Sequence, residues 1–317
     1  MSIGTGAATS PGEPSVWPHR LAIVLACATF PLLFIGGLVT SKGAGLAVPD
    51  WPTTFGHNMF FYPWSKMVGN IFYEHSHRLV ASAVGVLTIA LTLAFWLRER
   101  RHWLRRLGVA ALLLVILQGV IGGLRVVLLE STLAIIHAAF AQAFFALTVS
   151  LAIFTSSDWN SEPSDKPITD GGRLGRLCAV TTGLIYLQAI FGTVLRHTGD
   201  RVDAHLFFAL LVTLHVIFIL VRIVKFHSDR PKLTRPGCFL AVLLLLQLML
   251  GAGSYFGKFT SMLGLPMGVL VLLTTTHLVT GALMLATSLL LTLRAYRLST
   301  TSRASIGQKV LTEQFSG

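Results

Sequence analysis

Eight apolar stretches, roughly residues 21–40, 76–97, 107–127, 132–155, 175–195, 203–224, 238–257 and 265–293, divide this chain. Each is long enough to cross about 30 Å of hydrocarbon as a helix. They are continuous apolar runs, and only a helix satisfies every backbone group of such a segment within lipid. The pattern therefore predicts an all-α integral membrane protein with eight transmembrane helices. The first stretch follows a tail with one arginine, lacks a small-residue cleavage site and continues into a glycine-rich loop, so it reads as a retained helix and not a signal peptide.

The only long polar stretch between spans, Ser156 to Arg173, falls near the midpoint. It predicts an N-tail (1–20), a four-helix bundle (21–156), a linker (157–173), a second four-helix bundle (174–295) and a C-tail (296–317). A repeat supports that division. Gln118-x3-Gly122, Gln188-x3-Gly192 and Gln247-x3-Gly251 recur in the third, fifth and seventh spans, and the first span has Gly36-Gly37 without the glutamine. Glycine one turn from an amide puts a notch and a hydrogen-bonding group on one helix face, as helix packing in membranes uses. Duplication of a four-helix unit accounts for this, and two pseudo-symmetric, parallel bundles are expected.

Charge then orients the chain. Of 25 Lys and Arg, eighteen fall in segments on one side: one in the N-tail, five in 98–106, three in 157–176, five in 222–235 and four after 293. Six (Lys42, Lys66, Arg125, Arg196, Arg201, Lys258) fall on the other, and Arg78 sits at a helix start. The positive-inside rule places both termini on the cytoplasmic side, and the expected location is a bacterial-type plasma (inner) membrane. The net charge of +12 follows from that topology and from contact with anionic lipid, and its pattern does not suggest nucleic acid. Cys27, Cys178 and Cys238 have no metal-ligand spacing and no partner on the oxidising side.

Candidate chemistry lies in the histidines. Of eleven, His19, His57, His102 and His227 fall in tails or loops, where solvation is the default. His77, His137, His205 and His277 sit alike in the four even-numbered spans, where an ionisable group is costly. Counting to the first charge at the cytoplasmic end gives 21 residues for His77 and His137 and 17 for His205 and His277, so the members of each pair lie level towards the outer side. Each is followed four residues later by Ala81, Ala141, Ala209 or Gly281, which leaves room beside the imidazole for a flat macrocycle. His75, His197 and His215 fail that test, and His215 reads as a satisfied polar group, with a proton-path or quinol role as the alternative. Two level histidines on neighbouring helices are what bis-histidine heme ligation needs, so two heme sites are expected. Zinc is disfavoured because no carboxylate or cysteine completes either pair.

The halves differ in one respect. Glu74 lies three residues before His77 and four before Arg78, so a carboxylate stands on the face of one site only and can pair with Arg78. A bland account exists, a helix-start Glu with an Arg partner. Asp203 is two residues from His205 and does not share its face. The first outer loop, about 41–73, holds Gly-Ala-Gly-Leu-Ala-Val-Pro-Asp-Trp-Pro over 43–52 and suits a folded lid over the first site.

Together these features resemble the heme A synthase family over nearly all of residues 21–295. The specific pieces are the 43–52 segment, Glu74-x-x-His77-Arg78, and histidines at the heads of the even-numbered helices. The resemblance implies oxidation of the C8 methyl of heme O to a formyl group through hydroxylated intermediates. It implies heme O bound by His77 and His137 with Arg78, Glu74 important for catalysis, and a heme b held by His205 and His277 as an electron relay. Implied partners are a heme O synthase, a heme-copper oxidase or its assembly factors, a quinone or other electron acceptor, and membrane lipid. Many bacterial relatives carry a cysteine pair in the first outer loop. Val48 and Thr54 occupy that neighbourhood here, so a thiol role there is absent. Rival readings are a diheme quinol-linked electron-transfer cytochrome and a non-catalytic heme carrier or assembly factor. A heme O-forming prenyltransferase is disfavoured because no Asp-rich magnesium diphosphate motif is present.

Overall fold

A computed structural model describes residues 16–161, 171–260 and 262–315, with side chains placed up to 299. The remaining parts of the expected tails and linker lie outside the described residues. Eight long helices follow in order: α1 (Trp17–Ser41), α2 (Asn70–Arg98), α3 (His102–Leu128), α4 (Ser131–Thr155), α6 (Gly171–Thr198), α7 (Val202–Phe226), α8 (Pro231–Phe259) and α9 (Met267–Phe315). A single turn, α5 (Ser157–Asn160), follows α4. All eight are long and apolar enough to cross a membrane, and the chain is an all-α integral membrane protein. The last helix continues to Phe315, beyond the apolar stretch that announced it.

Helices α1 to α4 pack in a ring, each against its chain neighbours and α4 against α1; α6 to α9 do the same. The rings meet where α1 and α4 touch α9 and where α4 touches α6. Leu33 and Phe145 pack there against Val279, Ala282 and Ala286. Inside the first ring the apolar core is built from residues such as Leu25, Val84, Phe95, Leu104, Phe144 and Leu151. The second ring uses Leu174, Ile185, Val216, Ile223, Leu240 and Leu291. In every helix that carries one of the four paired histidines, these core residues come after the histidine, and in α3, α6 and α8 they come before the glutamine of the repeat. Apolar packing thus fills one end of each ring and leaves the histidine end to polar groups. Outward positions such as Val86, Leu113, Val242 and Leu245 are more than 60% exposed, which in lipid is the favourable arrangement.

Among the described residues, the longest connection between helices is the segment between α1 and α2. A two-residue hairpin turns at Phe55 and Gly56, both with positive φ, between the short strands β1 (Thr53–Thr54) and β2 (His57–Asn58). Asp50 organises it: its carboxylate accepts from the Phe55 and Gly56 N–H groups at 2.7 and 2.8 Å and from the Thr53 hydroxyl at 2.5 Å. Burial pushes the Asp50 carboxyl up, but these donors outweigh it and hold its pKa at about 2.

Candidate functional site

The four histidines singled out above come together as two pairs, one per ring. His77 on α2 and His137 on α4 have ring centres 6.4 Å apart, and His205 on α7 and His277 on α9 have theirs 6.3 Å apart. Imidazoles bound to one metal at about 2 Å each would hold their ring centres about 6 Å apart. Nδ1 of His137, of His205 and of His277 is buried and has no hydrogen-bond partner. A buried ring nitrogen left in that state calls for a ligand or a metal. Among the described residues no set of three or more His, Cys, Asp or Glu side chains gathers to hold a metal ion, so the donor set is two imidazoles per site. That set fits a metal whose other positions are filled by a macrocycle.

Each ring also meets a glycine on the preceding helix. A Cβ at Gly36 would stand 3.1 Å from His77 Nε2, and at Gly122, Gly192 and Gly251 it would stand 3.1, 3.0 and 3.0 Å from Cε1 of His137, His205 and His277. The repeat read as a helix-packing device therefore faces the histidines themselves. Its glutamines do as well, in two ways. Gln188 and Gln247 place their amides 3.3 Å from Nε2 of His205 and His277, whereas Gln118 donates to the backbone carbonyl of His137 at 3.0 Å. The small residue four positions after His277 serves a glutamine, since a Cβ on Gly281 would lie 3.2 Å from the Gln247 amide nitrogen.

Glu74 and Arg78 form a buried ion pair at 2.9 Å, and both reach into the loop. The second Glu74 oxygen accepts the Val48 N–H at 2.9 Å. Arg78, expected to bind the substrate, donates to the Asp50 carbonyl at 2.7 Å, the Val48 carbonyl at 3.0 Å and the Thr53 carbonyl at 3.1 Å. Spacing alone showed the pair but not these loop partners. Thr54 bonds His75 Nδ1 at 3.1 Å, and Tyr62 packs on that ring. Val48 and Thr54, where a cysteine pair was looked for, are thus both buried and both tied to α2. Trp51 lies flat against Gly123, next to the glycine that faces His137, and the Arg125 guanidinium lies against Gly45. The loop thus packs on α2 and α3 next to the first histidine pair.

The other histidines divide. His215 bonds the Leu211 carbonyl at 2.8 Å, as a satisfied polar group would. His227, taken as a solvated loop residue, is instead only 4% exposed, because the chain turns there to close α7 against the start of α8.

The sequence model of the cytochrome oxidase assembly protein family matches residues 19–204, more than half of the chain. The chain belongs to that family. Among relatives, the heme A synthase of Shouchella clausii (strain KSM-K16) is 30% identical over 184 residues, 57% of this chain and 59% of that protein. The heme A synthase of Alkalihalophilus pseudofirmus (strain ATCC BAA-2126 / JCM 17055 / OF4) is 29% identical over 141 residues, 43% of this chain and 46% of that one. The aligned stretches thus span less than two thirds of either relative. For this member of the cytochrome oxidase assembly family, the family match takes in His77, His137 and that loop and ends at Ala204, one residue before His205.

Proposed function

We propose that this protein is a heme A synthase, which oxidises the C8 methyl of heme O to a formyl group through hydroxylated intermediates. The observation that carries the reading is the pair of imidazole pairs, 6.4 and 6.3 Å between ring centres, each backed by glycine, in a chain of this family. His77 and His137 bind the substrate heme O under the loop. His205 and His277 would hold a heme b, which when bound would supply one-electron redox chemistry. A farnesyl-tailed macrocycle partitions into lipid, so an intramembrane site is where it can be reached.

The chain's own residues orient the substrate and exclude water. Gly36 and Gly122 let the imidazoles lie close to the neighbouring helices, and Trp51 closes the loop over them. Glu74 stands one turn before His77 with one donor on each oxygen. Its remaining lone pairs can accept a proton or orient a water near the methyl. Arg78 keeps that carboxylate and the loop in place. The excess of cations in 98–106, 157–176, 222–235 and after 293 supports cytoplasmic termini, and the membrane in this reading is a bacterial-type plasma membrane. Partners in this reading are a heme O synthase, a heme-copper oxidase or its assembly factors, and a quinone or other electron acceptor.

The test is to purify the protein from cells supplying heme O, extract the hemes in acid acetone and identify them by mass. Heme A or its C8-hydroxylated precursor alongside heme b, lost in His77→Ala and Glu74→Gln, is expected. Two equivalents of unmodified heme b would overturn the synthase reading and leave an electron-transfer cytochrome; a single exchangeable, unmodified heme would leave a carrier.

A further inference from the structure

At the loop end of the bundle, beyond the histidine pairs, three cations stand on the glycine-bearing helices. Arg125 comes three residues after Gly122, Arg196 four after Gly192 and Lys258 seven after Gly251. Offsets of three, four and seven keep each cation on the helix face that meets a histidine, one or two turns further along. Arg196 donates only to neutral groups: the Gly37 carbonyl at 2.6 Å, the Ser41 hydroxyl at 2.5 Å and the Thr274 carbonyl at 3.3 Å. Among the described residues, neither Arg125, Arg196 nor Lys258 forms an ion pair with a carboxylate. His197 lies within electrostatic range of all three cations, Arg125 within range of both His77 and His137, and Arg196 within range of His277. Glu74, which is paired with Arg78, also lies within electrostatic range of Arg125, whereas among the described residues Arg196 and Lys258 meet no carboxylate. Cations drawn away from bulk water with so little counter-charge are costly, and an anionic ligand would offset that cost.

We infer that Arg125 at the first pair, and Arg196 with Lys258 at the second, bind the side-chain carboxylates of the macrocycle whose iron each pair holds. The inference rests on the heme reading above and adds to it how each macrocycle is turned: its carboxylates face the loop end and its apolar edge faces the membrane interior. Arginine suits the task because its planar fork meets a carboxylate through two parallel hydrogen bonds.

The experiment titrates the full-length, heme-depleted protein in detergent with ferric protoporphyrin IX and, separately, with its dimethyl ester, which keeps iron and ring but has no carboxylate. The low-spin Soret band reports bis-histidine binding. The free acid is expected to bind at least about tenfold more tightly than the ester. Of the two binding phases, Arg125→Gln should lose the preference at one and Lys258→Gln should weaken it at the other, and Arg125→Lys, a conservative variant that keeps the charge, should retain it. An ester that binds as tightly as the acid with the same low-spin band overturns the carboxylate sites and leaves the histidine pairs standing. Absence of a low-spin band with either compound overturns the heme reading and this inference with it.

Discussion

Adding one methyl group to α3 separates the histidine-facing glycine from one that faces nothing. In Gly119→Ala the new Cβ has no atom within 4 Å, whereas in Gly122→Ala it meets His137 Cε1 at 3.1 Å and Nδ1 at 3.4 Å. Both substitutions gain about the same helix propensity, up to about 1 kcal/mol, so any difference between them reports the contact. Carbon atoms rest about 3.5–4.0 Å apart, so His137 must retreat by about half an ångström in Gly122→Ala. Metal–ligand distances tolerate only about 0.2 Å, so the first site cannot absorb that retreat without turning a ring or losing a bond. The expected outcome is about tenfold weaker heme binding at one of the two sites, equivalent to about 1.4 kcal/mol, with thermal stability unchanged or raised. The assay is a heme titration followed at the Soret band, paired with a melting curve for each variant. Equal heme affinity in the two alanine variants would refute the claim that Gly122 shapes the site.

Glu74→Gln removes one partner of a buried ion pair and should destabilise the protein by on the order of 3 kcal/mol; a melting temperature equal to wild type would show that the loop carbonyls alone satisfy Arg78. Gly123→Ala puts a Cβ into the Trp51 ring, so limited proteolysis should cut within 42–69 faster than in wild type, and an unchanged rate would mean that Trp51 does not hold the loop down. Asp50 has a folded pKa of about 2, below its ordinary 3.8. Its ionised form stabilises the hairpin above that ordinary value, and the contribution is lost as pH falls through about 2. Trp51 fluorescence should therefore report loop loosening between about pH 4 and 2 in wild type, and Asp50→Asn should lack that transition.

The spans were legible because a membrane demands unbroken apolar runs, yet their ends were not. Helix α8 begins at Pro231, seven residues before the apolar stretch at 238, since Lys232 and Arg235 are helical residues in a polar setting and hydropathy reads the setting. The histidine pairs were legible because depth along a helix is a count of residues. What those rings touch was not, because Gly122 to His137 and Gly192 to His205 are contacts between helices, and a repeat in one helix does not say which neighbour it faces. Arg78 shows the same limit. Its pairing with Glu74 is local and follows from an i, i+4 offset, whereas its three loop carbonyls depend on how residues 48–53 fold back.

The two rings share one device and differ in what surrounds it, and the difference bears on which holds substrate. Between α1 and α2 the chain spends residues 42–69 on a loop that reaches Glu74, Arg78, Gly123 and Arg125, whereas α6 passes to α7 through residues 199–201 alone. Imidazoles of the second pair each have a glutamine amide at 3.3 Å; those of the first have none, because α1 carries no glutamine beside His77 and Gln118 is spent on the backbone carbonyl of His137. A resident redox group gains from ligands fixed in orientation, since fixed ligands reduce the reorganisation that each electron transfer requires. A substrate that enters, reacts at a methyl group and leaves gains from ligands that can turn, and from a cover that keeps water from the reacting carbon. Those differences favour the proposed assignment of His77 and His137, beside the long loop, to the substrate and of His205 and His277, with their glutamine amides, to the relay. Exchanging the glutamines tests the assignment: Gln188→Leu with Gln247→Leu should shift the potential of the bound heme b and leave heme O affinity unchanged, and the opposite pattern would reverse the roles of the two rings.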